Sequence, residues 1–152
     1  MKIVQNRTEK ILTTLLKMAL HDKPSDDISW DTVSEMEWKA CYDLAVKHGV
    51  MAIAFDGLMM LAPAHQPSRP LKLSWALAVR KYEERYERYC QTASELSSYY
   101  SDNGISMVQM KGVGLSSYYP VPAHREGGDI DIYTYSSDRS KLSDSEANQL
   151  AD

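Results

Sequence analysis

Apolar residues recur at helical intervals through most of the first hundred positions. Over residues 3–20, Ile3, Ile11, Leu12, Leu15, Leu16 and Leu20 fall at spacings of three, four or a close multiple, which predicts an amphipathic helix. The stretch His21 to Ser29 holds Pro24, Ser25, Asp26 and Asp27, residues that favour a loop. A second helix is predicted from Asp31 to Lys47, with Trp38, Tyr42, Ala45 and Val46 as its apolar stripe and Gly49 as its stop. Residues 50–62 are dense in Met, Ala, Ile, Phe and Leu and predict a short buried helix, followed by a loop at Pro63, Pro67 and Pro70. A long helix is predicted over 71–101. Along it Leu71, Trp75, Ala78, Tyr82, Tyr86, Tyr89, Ala93, Leu96 and Tyr100 step by three or four, and Asn103-Gly104 ends it.

The period then changes. Ile105 to Met110 is a short apolar run with β-branched residues and predicts a strand. Gly112 to Tyr119 predicts one short helix stopped by Pro120 and Pro122, and 121–128 a loop. Asp129 to Tyr135 alternates as a strand does. Ser143 with Glu146 is a capping-box signal for a last helix. The fold class expected is therefore α+β, mostly helical, with a helical region over 1–103 ahead of a small sheet over 104–152. Two strands alone are marginal in water, so they must pack on the long helix or borrow a strand. A homodimer that buries the exposed sheet edge is one arrangement that does so.

Composition narrows the chemistry. The net charge of −4, with both signs interspersed, argues against a general nucleic-acid or membrane-surface binder but leaves room for a local basic site. No continuous apolar segment marks a signal peptide or a membrane span, so a cytoplasmic location is expected. Cys41 and Cys90 sit in helical patterns and read as buried free thiols. His21, His48, His65 and His124 are scattered, with no Cys or His at zinc-ligand spacing. The tyrosine stripe at 82–100 has the spacing of a core-facing helix rather than of a base-stacking surface.

The chemistry concentrates between Met107 and Ile132. Strand alternation places Asp129 and Asp131 on one face, where both carboxylates can converge on a hard divalent cation such as Mg²⁺. Two like charges so close on an apolar strand are costly without a compensating cation. An isolated Asp-x-Asp is more often an edge strand with solvated aspartates. Upstream, however, Lys111-Gly112 follows a strand and opens a short helix, where backbone N–H groups suit a phosphate. Gly114 keeps that turn uncrowded, Lys111 adds a point charge, and Arg125 offers a bidentate fork.

These residues resemble the polymerase-beta-type nucleotidyltransferase superfamily, and more closely the bacterial uncharacterised nucleotidyltransferase family. The matching positions are Met110-Lys111-Gly112, Tyr119-Pro120, Arg125 and Gly128-Asp129-Ile130-Asp131, with Ala45-Val46-Lys47-His48-Gly49-Val50 matching a helical step upstream. The resemblance spans roughly residues 40–135. It implies a nucleotidyltransferase-type mixed sheet and Mg²⁺-dependent transfer of a nucleotidyl group from an NTP to an unidentified acceptor. Asp129 and Asp131 are then the catalytic and metal residues, and Lys111, Gly112, Gly114 and Arg125 bind the nucleotide. Two departures stand out. Val113 replaces the Ser or Gly that commonly follows the glycine, although Ser116 lies one turn on. The third carboxylate that members draw from a later strand has no counterpart at that distance, so the resemblance implies an incomplete palm and a two-metal site lacking a ligand. Glu126, Asp138 and Asp144 are too close in sequence to replace it. The other readings are a non-catalytic nucleotide-sensing or protein-interaction module that keeps the fold, and a helical scaffold in which the aspartate pair is incidental.

Overall fold

The computed structural model describes residues 2–136, with side chains from residue 7 onward. Its elements are α1 (Lys2–His21), α2 (Glu35–Lys47), α3 (Met51–Met59), α4 (Arg69–Asp102), β1 (Ile105–Gln109), α5 (Val113–Ser116) and β2 (Ile132–Ser136). Single 3-10 turns lie at Trp30–Thr32, Pro63–His65 and Pro122–His124. The expected α+β fold dominated by helices is observed. The side chain of Ile3 and the helix expected around Ser143 lie outside the described residues. The described residues form two compact units, 2–83 with 119–126 and 84–118 with 127–136, so that α4 contributes to both.

In the first unit, the apolar stripes of four helices meet. Ile11, Leu15 and Met18 of α1, Trp38, Cys41 and Ala45 of α2, Met51, Ala54 and Leu58 of α3, and Trp75 and Val79 of α4 form one buried cluster. Gly57 of α3 faces the backbone of α1, where a Cβ would lie 2.8 Å from the Leu15 carbonyl carbon. Burial pushes the Cys41 thiol up to about 12, so it stays protonated and behaves as a small apolar residue. Cys90, expected to be buried as well, is only half-buried.

Local chemistry sets the helix ends. Helix α2 begins at Glu35 rather than at Asp31, because Ser34 and Glu37 form a reciprocal capping box and Trp30–Thr32 is a separate 3-10 turn. It ends as predicted at Gly49, whose φ of +66° lets its N–H reach Val46 O (3.1 Å) while Val50 N–H reaches Ala45 O (3.0 Å). Two expected stripe members, Leu20 and Val46, are exposed. Leu20 falls about 200° round its helix from the buried Met18, on the far face, and Val46 about 100° from the buried Ala45.

In the second unit, β1 and β2 pair antiparallel with Ile105 opposite Ser136 and Gln109 opposite Ile132. The mixed sheet expected from the resemblance is, among the described residues, this two-stranded antiparallel ladder. One face of it packs Ile105, Met107 and Ile132 against Leu96 and Tyr100 of α4. That contact supplies the second layer that an isolated two-stranded ladder lacks. Among the described residues, no helix is long and apolar enough to cross a membrane.

Candidate functional site

Beyond Gln109 the chain leaves β1 and turns sharply at Gly112, whose φ of +61° and ψ of −123° lie in a region open essentially to glycine alone. A Cβ at this position would also stand 2.7 Å from the Asp129 carbonyl oxygen. Gly112 is thus required twice, by its own backbone and by the close approach of Asp129. Gly114 has a related reason, since a Cβ there would meet the Gln109 carbonyl at 3.3 Å. The sharp turn also explains why β2 begins at Ile132 and not at Asp129 as its alternation predicted. The last rung is Met110 N–H to Asp131 O (2.9 Å), and the chain after Met110 has turned away before it could pair with 129–130.

Lys111 Nζ lies 3.1 Å from Asp131 Oδ2. That oxygen is shielded from solvent, and the ammonium is its counter-charge. The hydrogen bond and charge of Asp131, and more weakly the charge of Asp129, hold Lys111 above its ordinary 10.5. Lys111, Gly112, Asp129 and Asp131 therefore gather within one unit, and both carboxylates act on one cation. A shielded carboxylate oxygen whose partner is an exposed ammonium fits the hard oxygen donor set of Mg²⁺. Among the described residues, no three His, Cys, Asp or Glu side chains form a metal-holding group.

Helix α5 is shorter than the 112–119 span predicted for it, a single turn of four residues. So short a helix brings little dipole to a phosphate. The Gly114 N–H is spent on Lys111 O at 3.2 Å. Ser116 is buried and hydrogen-bonded to the Val113 carbonyl (2.5 Å) and the Tyr86 hydroxyl (3.1 Å), so it does not face a ligand. Tyr89 of the same α4 stripe donates to the Gly128 carbonyl (3.0 Å), directly ahead of Asp129. The stripe thus has a second use that its spacing did not reveal. Its rings lie on the less exposed side of the helix, while its hydroxyls fix the segments on either side of the candidate site.

Arg125 belongs to the first unit, at the C-terminal end of the 3-10 turn Pro122–His124. The residues around it form a polar cluster absent from the sequence reading. His124 is buried, with Nδ1 2.7 Å from Asp56 Oδ2 and Nε2 3.2 Å from Glu83 Oε1. Both neighbours are acceptors, so only the doubly protonated ring satisfies both. Burial alone would lower the His124 pKa, but the hydrogen bonds and charges of Asp56 and then Glu83 outweigh it and raise it above 6.5. Glu126 accepts from the Tyr82 hydroxyl (3.2 Å), and its carboxylate fills the space that a side chain at Gly49 would occupy. Glu126 is therefore committed within this unit, while Asp138 and Asp144 lie outside the described residues. His124 is 68 residues from Asp56 and 41 from Glu83, so no local spacing announces the cluster.

A pH dependence follows. A raised folded-state pKa means stability that is fully present below the ordinary pKa of 6.5 and lost as pH rises through the higher folded value. The thermal stability of the wild type should therefore fall as pH rises above 6.5, and His124→Gln should flatten that slope. An unchanged slope in the variant would show that another group carries it.

Comparison with known proteins adds one match. A family model described as an uncharacterised nucleotidyltransferase covers residues 34–145, which includes α2 to β2 and every residue of the Lys111–Asp131 cluster. No curated protein and no solved structure matches the chain.

Proposed function

The chain belongs to this uncharacterised nucleotidyltransferase family, and from that premise we propose that it handles an NTP through Mg²⁺ held by Asp129 and Asp131. Nucleotidyl transfer is the reaction this reading assigns. An acceptor hydroxyl and an NTP give the nucleotidylated acceptor, pyrophosphate and a proton. The observation that carries it is the ion pair of Lys111 with the shielded Asp131 oxygen, set beside the Gly112 turn that packs on Asp129. Mg²⁺ bound by the two carboxylates would neutralise triphosphate charge. Asp129 and Asp131 supply its oxygen ligands. Lys111 is an exposed ammonium on a long stem, able to turn from Asp131 to a phosphate oxygen. Gly112 and Gly114 keep Cβ atoms out of the turn that brings these groups together. Arg125, which the resemblance assigns to the triphosphate, belongs to the other compact unit and is left out of this site.

Wild-type protein titrated with ATP at fixed ionic strength should show weak, magnesium-dependent binding. An affinity near millimolar corresponds to only about −4 kcal/mol. Asp129→Asn with Asp131→Asn should remove the magnesium dependence and leave the helical circular dichroism unchanged. Absence of magnesium-linked binding at several times that concentration defeats the proposal and leaves the family relationship as ancestry alone.

A further inference from the structure

We propose that the exposed ring of Tyr133 is the stacking platform for the base of the nucleotide whose phosphates lie at Lys111 and Asp131, an inference that rests on the function proposed above. The antiparallel register places Tyr133 opposite Val108 and Tyr135 opposite Ser106, and the Met110 N–H to Asp131 O rung carries the same register one step further. Residues directly opposite each other share a face, and alternation puts Asp131, Tyr133 and Tyr135 on one side of the ladder with Met110 and Val108. Exposure agrees with this assignment. Ile105, Thr134 and Ser136 are buried on the other side, whereas Tyr133 is 48 % exposed, Val108 47 % and Met110 60 %.

The open face is thus ordered from charge to aromatic surface. The Lys111–Asp131 ion pair stands at one end, and Tyr133 follows two residues along, about 7 Å by strand rise. The Tyr133 and Tyr135 rings lie 6.3 Å apart with planes inclined by 26°, which steadies the Tyr133 ring. A nucleotide has the same order, with charged phosphates separated by a sugar from a flat base. An aliphatic or peptide partner has no need of an acidic, metal-holding end, whereas a nucleotide uses both halves of this face. Because every base has a π-face, such a platform selects weakly among bases.

The full chain is titrated by calorimetry with Mg-ATP and with Mg-tripolyphosphate, which keeps the phosphates and lacks the base. Wild type should bind ATP more tightly than tripolyphosphate. Tyr133→Ala should weaken ATP about 5- to 150-fold, the range for loss of one stacked base, and leave tripolyphosphate unchanged. Tyr133→Phe should retain the wild-type preference, and GTP, CTP and UTP should follow ATP within about tenfold. Unchanged tripolyphosphate binding also reports that the Tyr133→Ala site is folded. Magnesium-linked binding of ATP that is indifferent to Tyr133→Ala overturns the platform and leaves the phosphate site standing. Binding of neither probe overturns both. A dimer in sedimentation that Tyr133→Ala dissociates overturns the platform too, since the face would then be a contact between copies.

Discussion

Trp75→Ala is expected to lower the stability of the helical unit by about 3–5 kcal/mol, the range for deleting a large aromatic side chain from a packed core. Trp75 is fully buried in α4. The Tyr42 ring meets it edge-on at 5.3 Å, and Phe55 lies 6.1 Å away. Its indole N–H donates to the Met51 carbonyl at 3.0 Å, at the start of α3. Truncation therefore opens a cavity and removes the indole's hydrogen bond; the Met51 carbonyl keeps its place in the α3 ladder, so the cavity carries the cost. Domains of this size are stable by only about 5–15 kcal/mol, so the variant should lose a large share of that margin. Trp75→Phe keeps most of the ring and loses the hydrogen bond, so it should fall between wild type and Trp75→Ala. Urea unfolding followed by circular dichroism makes the comparison without relying on tryptophan emission. A loss below about 1 kcal/mol for Trp75→Ala would show that this side chain does not hold α3 and α4 together.

Gly57→Ala should be the second largest effect, with a sign opposite to helix propensity. In an isolated helix, alanine for glycine stabilises by about 1 kcal/mol. At position 57 the new methyl would lie 2.8 Å from the Leu15 carbonyl carbon and 2.9 Å from its Cα. Both atoms are backbone, so no rotamer change relieves the overlap and α1 must move away from α3. Overpacking of this kind costs up to about 3 kcal/mol, which leaves a net loss of about 2 kcal/mol. Gly104→Ala is the control. Its φ is +72° but nothing lies within 4 Å of its would-be Cβ, so only the left-handed conformational penalty of about 1–2 kcal/mol applies. If Gly57→Ala unfolds at higher urea than wild type, the two helices do not approach as closely as described.

Both predictions depend on tertiary placement, and they mark where the sequence stops being informative. Trp75 was legible as a core residue because its stripe repeats at helical spacing. Its bond to Met51 was not, because residues 24 apart share no periodic relation. Gly57 carried no signal at all, since a glycine inside an apolar helix looks the same whether it faces solvent or another backbone. Its role depends on the path of α1.

What the sequence determined by itself is everything set by neighbours within about one helical turn or one strand step. The helices, the Asn103-Gly104 stop, the Gly49 cap and the nearness of Asp129 to Asp131 in the chain belong to this class. The family match rests on the same kind of information, short motifs in a fixed order. Tertiary structure alone decided which side of the ladder faces water, and so where Tyr133 stands relative to Asp131. It also joined His124 to Asp56 and Glu83, and turned the tyrosine hydroxyls of α4 toward Ser116, Glu126 and Gly128. The physical reason is that periodicity records which face of an element is apolar. The partner of a polar group depends on how separate elements meet, and hydrogen bonds of about 3 Å between residues tens of positions apart leave no trace in local spacing.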